Sequence, residues 1–131
     1  MKLLLDTHVW IWSRASKTRL TPRVARALAN TSHELWLSPV SSWEIVLLAE
    51  RGRLDLDIPA SVWIARALAT APVREATLTH EVVLESCAFT LPHSDPADRF
   101  LIATARFYDL TLVTADERLI ECGLVPVLPN R

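Results

Sequence analysis

Four carboxylates in this chain lie in surroundings where a solvated acid is not expected: Asp6, Glu44, Asp98 and Asp116. Asp6 ends the apolar run at residues 3–5, and Asp116 follows the strand-like run at 110–114. An unpaired carboxylate is costly to bury, so acids embedded among apolar residues either pair with a base or bind a cation. If the four converge, their hard oxygen atoms favour Mg²⁺, with Mn²⁺ as the second choice.

Glu44 is the acid with the most apolar surroundings. It interrupts the stretch at 43–48, and on a helix its neighbours would be Val40, Leu47 and Leu48. A glutamate in an apolar stripe is expected to meet a base or a metal ion. The alternative is that Glu44 lies at the margin of the stripe and reaches water.

Helix capping offers another explanation for some of the acids. Pro96 disfavours helical geometry at the residue before it, so Asp95 can be an N-cap, with Pro96 and Asp98 in the first turn. One acid is enough to cap a helix, so Asp98 keeps the stronger claim to a ligand role, while metal binding or capping alone remains open for Asp95. Arg99 beside it could pair with one of these acids or contact a substrate phosphate.

Asp6 and Asp116, the acids at the strand ends, must also be weighed between helix capping and ligand binding. Asp is a preferred N-cap residue, so Asp6 could simply cap the helix that follows it. Thr114 and Glu117 have the spacing of a capping box, with Thr114 as the cap. That arrangement would leave Asp116 free to face the strand ends.

These acids must be positioned by alternating strands and helices. Short strands are predicted at 2–5, 35–37, 73–76, 110–114 and 124–128. Helices are predicted at 8–14, from Pro22, from Ser38 or Ser41 to 51, at 59–71, from Thr79 to Phe89, at 96–108 and at 116–121. Strands separated by helices predict an α/β fold with a mostly parallel sheet, and Pro126 in the last strand predicts a sheet edge. Because ligands bind at the carboxyl ends of such strands, Asp6 and Asp116 have the placement that a site needs.

Composition narrows the class of protein. The 131 residues are half hydrophobic, which predicts one domain spanning 1–131, and no apolar run suggests a membrane span or a signal peptide. Cys87 and Cys122 lack ligand-like spacing, so we expect reduced thiols in a cytoplasmic protein.

Charge is distributed unevenly along the chain. The net charge of −1 argues weakly against a nucleic-acid binder, yet residues 7–33 contain five basic side chains and no acid. The basic side chains of this segment are Arg14, Lys17, Arg19, Arg23 and Arg26. They either form a solvated helical face or contact phosphates beside an acidic metal pocket.

Four sequence blocks, in this order, resemble the PIN-domain nuclease family, and most closely the VapC-type toxins of bacterial toxin–antitoxin pairs. The blocks are residues 3–8 (LLLDTH), 41–45 (SSWEI), 93–103 (HSDPADRFLIA) and 112–116 (LVTAD). The third block is the most specific, although Ala97 stands where a bulky aromatic residue is expected in that subgroup. The resemblance covers essentially the whole chain.

The resemblance implies a PIN-like three-layer fold, with a mostly parallel central sheet between helices, and an Mg²⁺-dependent ribonuclease. Carried over residue by residue, Asp6, Glu44, Asp98 and Asp116 are the metal-binding catalytic acids. Asp95, Arg99 and Thr114 are accessory candidates, and Arg14, Arg19 and Arg23 are candidates for contacting the RNA backbone. The resemblance also implies an antitoxin partner and a homodimer or larger assembly. A catalytically silent RNA- or protein-binding PIN module and a housekeeping PIN nuclease without an antitoxin remain alternatives.

Overall fold

The computed structural model describes residues 1–93 and 95–131 and contains five strands. The strands are β1 (Lys2–Leu5), β2 (Glu34–Leu37), β3 (Arg74–Glu75), β4 (Thr111–Thr114) and β5 (Val127–Pro129). The helices are α1 (Thr7–Ala15), α2 (Pro22–Ala29), α3 (Pro39–Glu50), α4 (Ala60–Thr70), α5 (His80–Glu85), α6 (Pro96–Tyr108) and α7 (Glu117–Ile120). A short 3₁₀ helix at Lys17–Arg19, which the sequence did not predict, joins α1 to α2.

The five strands form one parallel sheet in the order β3-β2-β1-β4-β5. Strand β1 is central, with β2 on one side and β4 on the other. The chain first builds the sheet outward from β1 through β2 to β3, and then returns to the other side of β1 to form β4 and β5. The strand order thus changes direction between the neighbouring strands β1 and β4. In open α/β sheets, this switch point leaves a crevice beyond the carboxyl ends of the two strands.

The two faces of the sheet carry separate apolar cores, because side chains alternate along a strand. Leu3 and Leu5 of β1 pack with Trp10, Val24 and Ile45, which come from α1, α2 and α3. On the opposite face, the core around Leu4 holds apolar residues of α6, β4 and α7, namely Leu101, Ile102, Ala105, Leu112 and Leu119. Helices on both faces make three layers, which confirms the predicted fold class.

Most predicted elements are present, with three local differences. Strand β5 lies at the sheet edge as predicted, but Pro126 precedes the strand, where its carbonyl accepts a hydrogen bond from the backbone of Leu112. Helix α5 ends at Glu85 and not at Phe89. The third difference, at the start of α7, concerns Asp116 and is described with the site.

None of the helices within the described part of the chain has the length and apolar character needed to cross a membrane.

Candidate functional site

A cavity of about 410 Å³ opens beyond the carboxyl ends of β1 and β4. Its lining residues are Asp6, His8, Trp12, Glu44, Asp95, Asp98, Ala115, Asp116 and Arg118. The structure therefore brings the four predicted acids together, and Asp95 joins them. The cavity lies at the switch point of the sheet, where the topology leaves room for a ligand.

Asp6 is held at the end of β1 by three contacts. Its backbone N–H donates to the carbonyl of Val113, which joins the residue to β4. One carboxylate oxygen caps α1 by accepting from the Thr7 N–H at 2.7 Å, and the other accepts from the Thr114 hydroxyl at 2.6 Å. Burial raises the pKa of Asp6 above its usual value, although these hydrogen bonds oppose the rise. Asp6 is thus both a helix cap and a carboxylate of the cavity.

Glu44 reaches the cavity from α3 with one hydroxyl partner. The Thr7 hydroxyl lies 2.5 Å from Glu44 Oε1 and 3.0 Å from the hydroxyl of buried Ser41. A hydroxyl has one proton, so Thr7 can donate to Glu44 while it accepts from Ser41. Burial is the main cause that raises the pKa of Glu44, and the charge of Asp6 adds to it. Glu44 is therefore partly buried, and among the described residues the partner of its carboxylate is a neutral hydroxyl and not a base.

Asp98 is the buried carboxylate that α6 contributes to the cavity. Its residue is 6 % exposed, and Oδ2 lies 2.9 Å from Nε2 of His93. Burial is the main cause that raises the pKa of Asp98 to about 6; the neighbouring charges of Asp95, Asp6 and Asp116 contribute to this rise, and the His93 hydrogen bond opposes it. Acids that raise one another's pKa values are the electrostatic pattern expected of a cluster that binds a cation.

Asp116 differs from the other acids because a guanidinium binds both of its carboxylate oxygens. Arg118 donates to both carboxylate oxygens, with Nη2 2.9 Å from Oδ2 and Nε 3.2 Å from Oδ1. These bonds lower the pKa of Asp116. Asp116 is also the N-cap of α7, so the predicted capping box with Thr114 as the cap is wrong. The Thr114 hydroxyl instead donates to Asp6 and accepts from the Asp116 N–H at 3.0 Å.

Of the two remaining accessory candidates, Asp95 lies at the cavity and Arg99 is turned away from it. Asp95 caps α6 with Oδ1, which accepts from the Ala97 N–H at 3.0 Å, and it still lines the cavity. Arg99 does not join the acids. Its guanidinium donates to the carbonyls of Ser86 and Phe89, at 2.7 and 3.3 Å, so it satisfies backbone groups just beyond α5.

The three arginines predicted to contact the RNA backbone, here called the basic flank, are exposed but do not form a single surface. Arg14, Arg19 and Arg23 are all exposed. The guanidinium of Arg19 lies 5.6 Å from the ring centre of Trp12, which lines the acidic cavity. Arg14 lines a different cavity, of about 250 Å³, together with Lys17. Arg19 is thus in contact with a residue that lines the acidic cavity.

Comparison with known proteins agrees with this geometry. The PIN domain family model matches residues 3–123. Ribonuclease VapC22 of Mycobacterium tuberculosis is 37 % identical over 120 residues, which cover 89 % of this chain and 88 % of the relative. The chain belongs to the PIN-domain family. Within that family its sequence is of the VapC type.

Solved structures share the fold of this PIN domain at low identity. DNA-bound VapBC from Salmonella typhimurium superposes with a TM-score of 0.71 at 17 % identity, covering 100 % of this chain and 99 % of that one. VapBC2 from Rickettsia felis, bound to a DNA fragment from its promoter, gives 0.67 at 10 % identity and 98 % coverage of both chains. FitAcB from Neisseria gonorrhoeae gives 0.64 at 19 % identity, covering 98 % of this chain and 97 % of the other.

Sequence reasoning missed three polar residues that organise the acids of this PIN domain. Thr7 and His93 lie within the matching blocks, yet nothing in their spacing tells which acid they contact. Arg118 lies two residues after Asp116, and that spacing at the start of a helix is the one available signal for their pairing. Ser94, in the third block, lies outside the described residues.

The donor chemistry of the cavity fits a hard divalent cation. Its acids offer only carboxylate oxygens, and the pKa values of Asp6, Glu44 and Asp98 are all raised. Within residues 1–93 and 95–131, however, no three Asp, Glu, His or Cys side chains already enclose an ion-sized space. Binding an ion would therefore require the carboxylates to draw closer together.

Proposed function

We propose that residues 1–131 form one PIN nuclease domain that cleaves RNA with Mg²⁺, or alternatively Mn²⁺, as the toxin of a toxin–antitoxin pair. The observation that carries this proposal is the gathering of five carboxylates in one cavity at the switch point of the sheet. The M. tuberculosis relative is a ribonuclease by name, and this supports RNA cleavage as the reaction. The low net charge of the protein does not oppose it, because an ion can offset the acids where the substrate phosphate binds.

The ion would be held by Asp6, Glu44, Asp98 and Asp116. Asp95 has one oxygen committed to capping α6, so its other oxygen is the accessory ligand. When bound, a divalent ion supplies the positive charge that makes water nucleophilic at neutral pH and that offsets charge developing on the phosphate.

The protein's own residues contribute orientation and charge. The hydroxyls of Thr114 and Thr7 fix one oxygen each of Asp6 and Glu44 and leave their negative charge in place, because a hydroxyl is neutral. His93 fixes one oxygen of Asp98 at 2.9 Å. A carboxylate that already has a fixed orientation loses less freedom when it binds an ion, so these bonds favour binding.

The RNA backbone would approach along the basic flank. Arg19 lies over Trp12 at the wall of the cavity and is our candidate for the nearest phosphate contact, with Arg14 and Arg23 farther along. Phosphate contacts position a nucleic acid without reading its sequence. The flank would therefore set affinity, and the cavity would set the place of cleavage.

An antitoxin and a second copy of the chain are the proposed protein partners. The solved VapBC and FitAcB structures that share the fold support an antitoxin by analogy. In α1, Val9, Trp10 and Ile11 are buried in the core, so an antitoxin can reach only the half-buried Trp12 of that apolar segment. Exposed apolar side chains elsewhere, including Trp43, Leu84 and Phe107, favour further association, as expected for a homodimer or larger assembly.

The decisive test is cleavage of total RNA with Mg²⁺, with EDTA, and by the variants Asp6→Asn and Asp98→Asn. We expect cleavage only by the wild-type protein with the ion. Asp109→Asn is the matched control, because Asp109 is exposed at the other end of α6 and its left-handed backbone (φ 57°) tolerates Asn. Cleavage by both site variants at the wild-type rate would refute the site. Binding of RNA without cleavage would favour the silent module, and cleavage without growth arrest would favour a housekeeping nuclease.

A further inference from the structure

Arg118 is the one cationic group that the described residues place in the wall of the acidic cavity, apart from any charge on His8. It donates to both oxygens of Asp116 at 2.9 and 3.2 Å, and its Nη2 lies 3.5 Å from Oδ2 of Asp98. One guanidinium therefore joins two acids that come from different elements, α6 and the start of α7. Asp98 and Asp116 are two of the four acids that would hold the proposed divalent ion.

We propose that Arg118 is a resident counter-ion that holds Asp98 and Asp116 in the metal-free protein and competes with the divalent ion for them. This inference rests on the proposed metal-dependent function and adds a regulatory element to it. The competition is for the same atoms, because Arg118 engages both carboxylate oxygens of Asp116 and the Asp98 oxygen that His93 also contacts.

The contacts of Arg118 are of a kind that an ion can displace. Its side chain is 54 % exposed, whereas the Asp98 side chain is 9 % exposed. Within residues 1–93 and 95–131, the hydrogen bonds of its guanidinium all go to Asp98 and Asp116. Exposed ion pairs are individually weak, so a long arginine side chain can leave for water at small cost.

In the other half of the cavity, beside Asp6 and Glu44, the described lining residues include no arginine or lysine. Asp6 and Glu44 are held by the neutral hydroxyls of Thr114 and Thr7. Their negative charge thus remains uncompensated while that of Asp98 and Asp116 is partly neutralised. An ion entering the cavity would meet two acids whose hydrogen-bond partners are neutral, and two acids that must first release Arg118.

Competition predicts that neutralising Arg118 tightens metal binding. We would measure Mn²⁺ binding by titration calorimetry at low salt, with the full chain and without RNA, for the wild type, Arg118→Gln and Arg118→Lys. We expect Arg118→Gln to bind Mn²⁺ roughly threefold to tenfold more tightly, since two weak pairs no longer need to break. Arg118→Lys keeps the charge and should stay near the wild-type affinity. In EDTA, Arg118→Gln should have a lower melting temperature than the wild type, because Asp98 and Asp116 lose their counter-ion.

Arg131→Gln is the matched control. Arg131 pairs with Glu117, which lies in α7 beside Arg118. The Arg131 side chain is 50 % exposed, similar to that of Arg118, but its pair does not involve the cavity acids. This variant should bind Mn²⁺ as the wild type does.

The opposite sign would overturn the inference. If Arg118 only orients Asp116 for the ion, then Arg118→Gln would bind Mn²⁺ more weakly, and equal tightening by Arg118→Lys would exclude charge competition. Wild-type RNA cleavage with Mn²⁺ but unchanged or weaker binding by Arg118→Gln would refute this inference and leave the proposed function intact. Absence of Mn²⁺ binding in every variant would refute both.

Discussion

Replacing Asp98 with Asn should stabilise the metal-free protein at neutral pH, although it removes an acid of the site. Asn preserves the shape of the side chain and an oxygen that can accept from His93. It removes the charge that burial and three neighbouring acids make costly. The change therefore isolates an electrostatic cost that the fold bears in the absence of a cation.

The size of this effect follows from the pKa of Asp98. One pKa unit corresponds to about 1.4 kcal/mol, so a rise from 3.8 to about 6 makes the ionised form cost up to about 3 kcal/mol. Solvent at the mouth of the cavity screens part of this, so we expect a gain in the free energy of unfolding of about 1–3 kcal/mol, or roughly 3–10 °C in melting temperature.

The dependence on pH has a definite sign. Above pH 6 the folded wild-type protein carries the full cost of ionised Asp98. As the pH falls from about 6 to 3.8, the folded state takes up a proton before the unfolded state does, so the wild type gains stability relative to Asp98→Asn. The advantage of the variant should therefore shrink through this window and vanish near pH 4.

Urea unfolding in EDTA at pH 7.5 and at pH 5 would measure both values. Asp116→Asn is the control of opposite sign, because Arg118 lowers the pKa of Asp116 and its loss should destabilise the protein by less than about 1 kcal/mol. Capping of α7 is kept, since Asn is as good an N-cap as Asp. The electrostatic account is refuted if Asp98→Asn is less stable than the wild type at pH 7.5, or if the difference does not change with pH.

Three further predictions test other parts of the protein. Thr7→Val keeps the shape of the side chain but removes the hydroxyl that contacts Glu44, so RNA cleavage should fall about tenfold or more while circular dichroism shows the same fold; an unchanged rate would contradict a role for this contact. Arg19→Glu combined with Arg23→Glu should weaken binding to every RNA sequence and flatten the dependence of affinity on salt, and equal affinity across a salt series would show a merely solvated face. Expression of the wild-type chain alone should arrest growth, expression of Asp6→Asn should not, and co-expression of the neighbouring small gene should restore growth; a harmless wild-type chain without a copurifying partner would argue against the toxin role.

Much of the fold follows from local rules that the sequence displays. Continuous apolar runs marked buried strands, and Pro22, Pro39 and Pro96 all stand in the first turn of a helix, as proline prefers. The end of α5 could not be predicted, because the carbonyls beyond it are satisfied by Arg99, which comes from α6. Tertiary contacts of this kind leave no local pattern.

In the site, too, local sequence patterns predict one part and tertiary contacts determine the rest. The acids were recognisable because each is out of place among apolar residues, but their partners were not. Asp116 was assigned no capping role because Thr114 fitted the capping pattern, yet the Thr114 hydroxyl is directed to Asp6, which is 108 positions away in the sequence. Long-range pairing between β1 and β4 decided that choice, and helix-start patterns contain no information about it.

The central position of β1 also determines when the protein can become active during its own synthesis. Asp6 is made first, but the strand that flanks it and the hydroxyl that orients it belong to β4, which is translated about a hundred residues later. At typical rates of translation, the ribosome needs roughly 5 to 20 seconds to cover that distance. For most of translation, a nascent chain therefore carries Asp6, one of the proposed catalytic acids, without the strand and the hydroxyl that hold it in place. On the proposed function, the chain would gain the ability to cut RNA only after nearly all of the residues that build the cavity have been translated.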